Sequence, residues 1–309
     1  MSTSLDGKAA IVTGAGAGLG RAEALALAEA GAAVVVNDLA DASAVVEEIE
    51  AAGGKALAVT GDISERATAD ALLAAAVEHF GGLHVVVNNA GLLRDKMLFG
   101  MSDDDWDLVL KVHLRGHFLL SRNAAAYWRD KSKSDGGPVY GRVVNTASEA
   151  FLVGSAGQAN YSAAKAGIAA LTVSTARGLS RYGVRANAIC PRARTAMTLG
   201  VFGAWNSVEG GGGRREGVFG DASTEGGDPL SVDHVAPFVA FLASPAAEKI
   251  NGQVFVVHGG MVALLRPPTV EHQFTTQDFE TDLGGYFAER DPESMFAATE
   301  TLSLPRGES

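Results

Sequence analysis

One cysteine, Cys190, is the whole thiol inventory of the 309 residues. An intrachain disulfide is therefore impossible, and a reducing compartment fits. Cys190 follows the apolar pair Ala188-Ile189 and reads as a buried structural thiol. Positive charge is also scarce: 25 Lys and Arg stand against 36 Asp and Glu, a net charge of −11. That balance disfavours a nucleic-acid binder, which needs a basic face. No stretch reaches the ~18 uninterrupted apolar residues of a membrane helix, so no membrane span is expected. The start, Met1-Ser2-Thr3-Ser4-Leu5, lacks a basic-then-apolar export pattern, and the expected location is the cytoplasm. There is no internal repeat, and no metal is expected.

What the chain does have is a 47% hydrophobic and 20% charged composition, enough for a substantial core. Short, mostly β-branched runs recur at Ala9–Val12, Ala33–Val36, Ala56–Val59, Val85–Val87, Val143-Val144, Arg185–Ile189 and Val254–Val257. Apolar throughout, they read as strands buried on both faces. Between them lie helix candidates near 18–30, 41–52, 64–80, 102–130, 159–182 and 231–243, with Gly31, Gly53 and Gly81 at helix stops. The alternation predicts an α/β fold: a doubly wound parallel sheet of seven strands, helices on both faces and right-handed crossovers.

The first strand runs into Thr13-Gly14-Ala15-Gly16-Ala17-Gly18-Leu19-Gly20 and then a helix. Glycines in such a turn let backbone approach a pyrophosphate, and the helix N-terminus favours the anion. Asp38 ends the second strand, beside Leu39. A carboxylate there accepts hydrogen bonds from both ribose hydroxyls of adenosine and repels a 2′-phosphate, so the expected cofactor is NAD rather than NADP. Asp62, followed by Ile63, ends the third strand and either faces the adenine edge or caps a helix. Asn88-Asn89-Ala90-Gly91 ends the fourth strand, on the ligand-binding edge of such sheets.

Tyr161 and Lys165 stand four apart in Asn160-Tyr161-Ser162-Ala163-Ala164-Lys165, which puts them on one helix face. An ammonium beside a phenol is expected to pull the phenol's pKa from about 10 toward neutrality. Ser148 lies upstream, after Val143-Val144. A hydroxyl to hold an oxygen, a phenol to pass a proton and a cation to tune it suit the interconversion of an alcohol and a ketone.

Two segments break the rhythm. Residues 199–230, with Gly210–Gly213 and Arg214-Arg215, read as a substrate-covering lid or an inert insertion. From Arg266 onward a tail carries Phe274, Phe279, Tyr286, Phe287 and Phe296, which suggests packing on its own subunit or on a neighbour's cleft. The expected division is a domain over 1–265 and an extension over 266–309.

The glycine turn, Asp38, Asn88-Asn89-Ala90-Gly91, Ser148 and Tyr161-x-x-x-Lys165, in that order, resemble the short-chain dehydrogenase/reductase family over roughly residues 5–265. The resemblance implies a single Rossmann domain with strand order 3-2-1-4-5-6-7, a homodimer or homotetramer, and cofactor and substrate along the C-terminal sheet edge. It implies Tyr161 as general acid/base, Lys165 as its tuner and ribose ligand, Ser148 on the substrate oxygen, and Pro191 and Thr195 at the nicotinamide carboxamide. His113 stands where the family usually carries an asparagine that organises a water chain from Lys165; histidine can donate and accept, and plain packing is the alternative. Arg192 replaces a frequent glycine. With Arg194 it either meets an anionic substrate or the cofactor pyrophosphate, or forms a solvated pair. Val112-His113-Leu114-Arg115-Gly116 and Gly157-Gln158-Ala159-Asn160 are similar to the dehydrogenase domains of peroxisomal multifunctional β-oxidation proteins and bacterial relatives acting on steroids. This implies a lipid-like 3-hydroxyacyl-CoA or hydroxysteroid substrate. The alternatives are a 3-oxoacyl reductase and a non-catalytic dinucleotide-binding regulator.

Overall fold

The β-branched runs become strands because helices cover both faces of the sheet they form. The computed structural model describes residues 2–195, 228, 230–274, 279–288, 290, 291 and 296–298. Its strands are Ala9–Thr13 (β1), Ala33–Asp38 (β2), Lys55–Thr60 (β3), Val85–Asn88 (β4), Gly141–Thr146 (β5), Val184–Pro191 (β6), Val254–His258 (β7) and Met261–Leu264 (β8). The helices are Gly18–Glu29 (α1), Ser43–Ala51 (α2), Arg66–Phe80 (α3), Asp103–Leu110 (α4), Gly116–Asp135 (α5), Ala150–Val153 (α6), Ala159–Leu179 (α7), Ala236–Ala243 (α8) and Phe279–Ala288 (α9).

The sheet order is β3-β2-β1-β4-β5-β6-β7-β8, parallel through β7. The doubly wound parallel core matches the expectation; the strand count of seven does not. β8 pairs antiparallel with β7. The two-residue turn between them is Gly259-Gly260, both at positive φ (51° and 78°), the backbone that tight hairpins require. The glycine pair between apolar residues was the readable signal for this strand.

Alternate residues of each strand serve opposite layers, as the two-residue period dictates. Val12, Val34, Val36 and Val144 meet Leu27 of α1, Ile49 of α2 and Leu242 of α8. Ile11, Val35, Val86 and Val143 meet Leu72 of α3 and Leu119, Leu120 and Trp128 of α5. Each such large side chain contributes about 1.5–3 kcal/mol by leaving water. Trp128 Nε1 donates to Leu83 O at 2.7 Å, so its one polar atom is satisfied.

The helix expected near 102–130 is interrupted. Ser102 caps α4, its Oγ accepting from Asp105 N (3.2 Å), with three aspartates in the first turn. A π-helical turn, Lys111–Arg115, then joins α4 to α5 and carries His113. Such bulges are frequent at functional sites.

The 199–230 segment lies outside the described residues except for Asp228 and Leu230. Of the tail, Tyr286 Oη donates to Glu271 Oε1 (2.8 Å), and the rings of His272, Phe274 and Tyr286 cluster together. Ala298 N donates to Leu152 O on α6 at 2.8 Å. Among the described residues, no helix is long and apolar enough to cross a membrane.

Candidate active site

The strand order reverses between β1 and β4, and the crevice that this opens at the strands' C-terminal ends is where such sheets hold ligands. A cavity of about 670 Å³ lies there.

At one end the glycine turn is packed too closely for side chains. Gly14 (φ 63°) would place a Cβ 2.7 Å from Ala90 Cα, and a Cβ on Gly20 would overlap Gly14 O. Asn89 locks the turn from below, its Nδ2 donating to Thr13 O (3.0 Å) and Gly14 O (3.1 Å). Thr13 Oγ1 accepts from the amides of Asn89 and Ala90. The N-cap of α1 is Ala17, which offers no side-chain acceptor to the first-turn amides, and no acid stands there to neutralise them. Gly16 N donates to Asp38 Oδ2 (2.9 Å) and Ala40 N to Oδ1 (3.2 Å), so the carboxylate is aimed along the rim of the turn. Leu39 beside it is exposed.

Asp62 lines the same cavity with Ile63. Its Oδ1 accepts from Ser64 N (2.8 Å), while Glu65 holds the N-cap position of α3. The helix-capping alternative for Asp62 is therefore set aside.

At the other end stand Ser148, just beyond β5, and Tyr161 and Lys165 on α7. Ser148 lies beside Tyr161, close enough to favour its phenolate. Lys165, fully buried, donates from Nζ to Thr146 O at 2.5 Å, and Nζ lies 5.4 Å from the centre of the Tyr161 ring. Burial pushes the Tyr161 phenol up to about 12, against a smaller downward pull from Ser148. Burial also pushes the Lys165 ammonium down to about 7. The phenol thus moves opposite to the direction that the spacing implies, because loss of water disfavours both charged forms.

His113 packs edge-on to Tyr161 (5.2 Å between centres, 86°). Its Nε2 meets the backbone of Leu92, with N at 3.0 Å and O at 2.8 Å. Burial lowers its pKa to about 3, which keeps the ring neutral, and Nδ1 is buried with no hydrogen-bond partner among the described residues. Behind it His117 is also buried and held neutral. Beneath the site Asn88 Nδ2 donates to Asn145 Oδ1 (2.8 Å), and Asn145 Nδ2 to Thr172 Oγ1 (2.8 Å).

Every residue expected at the site lines this cavity except one. Pro191 and Thr195 are on its wall; Arg192, between them, is not. Arg192 is buried against Glu149, with Nε–Oε2 at 2.6 Å and Nη2–Oε1 at 2.7 Å. At 6% exposure it is not a solvated surface cation. Arg194 pairs with Asp228 at 3.3 Å. Sequence reading missed Leu92, Arg94, Leu108 and Val112, which also line the cavity. It missed Glu23 as well, fully buried in α1 with both carboxyl oxygens unpartnered among the described residues. Nothing but an acid in an otherwise alanine- and leucine-rich helix marked it.

An alcohol that becomes a ketone gives up a proton and a hydride in different directions. The glycine turn and the Ser148, Tyr161 and Lys165 side chains open onto one cavity here, an arrangement that suits a nicotinamide-dinucleotide oxidoreductase acting on CH–OH groups. Residues 8–201 match the short chain dehydrogenase family model, and the chain belongs to that family. It is 60% identical to the hydroxyacyl-CoA dehydrogenase ChsB1 of Mycobacterium tuberculosis, over 97% of this chain and 95% of that protein. It is 39% identical to the peroxisomal multifunctional enzyme type 2 of Mus musculus over 84% of this chain, but spans only 33% of that longer protein. The crystal structure of a short chain dehydrogenase from Mycobacterium avium is similar at 41% identity and TM-score 0.77, covering 93% of this chain and 97% of that one.

Proposed function

We propose that the protein is an NAD-dependent dehydrogenase that interconverts a secondary alcohol and a ketone on a lipid-like 3-hydroxyacyl-CoA. The observation that carries this reading is one cavity wall holding Asp38 at one end and Ser148, Tyr161 and Lys165 at the other. The apolar side chains Leu92, Leu108 and Val112 on the same wall suit an acyl chain or a ring system. The name of the 60% identical relative, a hydroxyacyl-CoA dehydrogenase, supports the thioester over a free hydroxysteroid.

The residues present fit the dinucleotide. Gly14, Ala17, Gly18, Leu19 and Gly20 leave backbone room for a pyrophosphate at a helix end whose amides lack a side-chain cap. Asp38 and Leu39 suit the adenosine ribose, Asp62 and Ile63 the adenine, and Asn89-Ala90-Gly91, Pro191 and Thr195 the nicotinamide half. When bound, the oxidised cofactor supplies a hydride acceptor and a positive ring.

Ser148 Oγ orients the substrate oxygen. Tyr161 exchanges the proton with that oxygen; with its pKa near 12, it is a proton donor in the state described here. Lys165 holds the nicotinamide ribose and, when charged, favours the phenolate. His113 keeps Tyr161 in place by edge packing, and its unpartnered Nδ1 suits a water in the proton path. Asp38 argues against an NADP-driven 3-oxoacyl reductase, and a regulator without turnover would have no use for the Ser-Tyr-Lys set. A cytoplasmic homodimer or homotetramer is part of the proposal.

Absorbance of NADH over a panel of 3-hydroxyacyl-CoAs, 17-hydroxysteroids and polyols tests the substrate class. In the substrate that reacts, Tyr161→Phe should lower kcat at least ~100-fold, the scale of general acid/base catalysis, with NADH affinity within about threefold. Turnover restricted to polyols, or unchanged in Tyr161→Phe, would sink the proposal.

A further inference from the structure

We infer that Glu149, Arg192 and His258 form a buried bridge that positions Ser148 and Pro191 for the reaction proposed above. The inference rests on that functional reading. The three residues follow or close the ends of three adjacent strands: Glu149 comes after β5, Arg192 directly after β6, and His258 ends β7. Two of them adjoin a residue that the chemistry uses. Glu149 is bonded in sequence to Ser148, and Arg192 to Pro191.

The geometry is a planar fork. Nε and Nη2 of Arg192 meet the two Glu149 oxygens at 2.6 and 2.7 Å. The remaining Nη1 lies 3.2 Å from His258 Nε2. Arginine only donates, so Nε2 of His258 is the acceptor in that contact. Arg192 and His258 are 6% and 5% exposed, and the Glu149 side chain 13%. Arg192 N also donates to Val257 O at 2.9 Å, which ties the backbone of β6 to β7.

A buried ion pair is a weak source of stability, since desolvation offsets most of its attraction. A two-pronged arginine–carboxylate contact does set orientation, which a single hydrogen bond or an apolar contact does not. Ser148 Oγ accepts from Ala150 N (3.2 Å). Its direction is therefore set by the 148–150 turn, and the Glu149 side chain anchors the middle of that turn to β6 and β7. None of the three lines the cavity, so they act through Ser148 and Pro191 as positioning residues. A displacement of about 1 Å at a reacting group costs on the order of 100-fold in rate.

Arg192→Met leaves a buried carboxylate unpaired and is expected to yield little folded protein. Arg192→Lys, which keeps the charge but not the fork, and Glu149→Gln, which keeps the shape, carry the test. The measurements are kcat and KM on the alcohol that the unmodified protein oxidises, NADH affinity by fluorescence titration, and melting temperature without cofactor. The bridge predicts kcat lowered about tenfold or more in each variant, NADH affinity within about threefold, and no further loss in Arg192→Lys/Glu149→Gln, because the pair acts as one unit. Folded variants with kcat within about twofold of the unmodified protein, independent additive losses, or losses that only track the fraction of NADH-binding protein would overturn it. An unmodified protein that oxidises no panel alcohol overturns the functional reading and the bridge together. An active one with unimpaired variants overturns the bridge alone.

Discussion

Replacing Glu23 with glutamine should make stability less dependent on pH, in a direction and by an amount that the buried acid dictates. Glu23 lies in α1 with no exposed surface, and neither carboxyl oxygen has a partner among the described residues. Burial raises its pKa from 4.5 to about 8, against a smaller pull down from Lys165. The folded chain therefore keeps this proton over a range in which the unfolded chain has lost it. Stability from Glu23 is fully present below about pH 4.5 and drains away as pH rises to about 8. At 1.36 kcal/mol per pKa unit, the whole loss is roughly 4–5 kcal/mol. Glutamine has nearly the same shape and no proton to lose. Urea unfolding of both proteins at pH 5, 6.5, 8 and 9, at one protein concentration, isolates the effect, because other titrating groups largely cancel in the difference. The advantage of Glu23→Gln should grow by about 3–4 kcal/mol from pH 5 to pH 8 and then level off. A constant difference across that range would show that Glu23 ionises in the folded protein as it does in water.

Two further outcomes follow from contacts at the cofactor end. Asp38→Ala removes the acceptor that faces the glycine turn at Gly16; the ratio of kcat/KM for NAD over NADP should fall at least about tenfold, the worth of one charged hydrogen bond, and an unchanged ratio in steady-state assays with both cofactors would contradict the assigned role. A Cβ on Gly91 would overlap His113 Cε1, so Gly91→Ala should destabilise by about 1–3 kcal/mol through overpacking and lower the melting temperature; an unchanged melting curve would mean that the π-helical turn yields freely.

Much of this architecture is written in local patterns. The valine-rich runs at 33–36 and 85–87 can only be strands covered on both faces, and the glycines at 14–20 need a strand before them and a helix after. Asp38, Tyr161 and Lys165 are legible because each sits at a fixed distance from such an element. β8 is harder to read. It is a four-residue edge strand with alternating exposure, and its one strong signal is the glycine pair at 259–260. The π-helical turn at 111–115 has no local signature; the helix candidate at 102–130 reads straight through it, and His113 is held there by Leu92, a residue distant in sequence. The partners of Arg192 are hidden for the same reason. Nothing between Pro191 and Thr195 reveals that Glu149 and His258 converge on it.

The same divide between spacing and environment governs Tyr161 and Lys165. Four residues on one helix bring a phenol and an ammonium to the same face, and with water between them the cation would draw the phenol's pKa down. In the folded protein Lys165 turns to Thr146 O and is buried, and Tyr161 is partly buried beside it. Desolvation then dominates, since removing a charged group from water costs more than one opposite charge at 5.4 Å from a ring centre returns. Glu23, Tyr161, Lys165 and His113 are all shifted toward their uncharged forms. Shifts in this direction lower the charge held in and behind the site, so a charge brought beside these groups is screened less than at the surface. The spacing puts the partners in reach of each other; the burial makes their protonation responsive to what binds beside them.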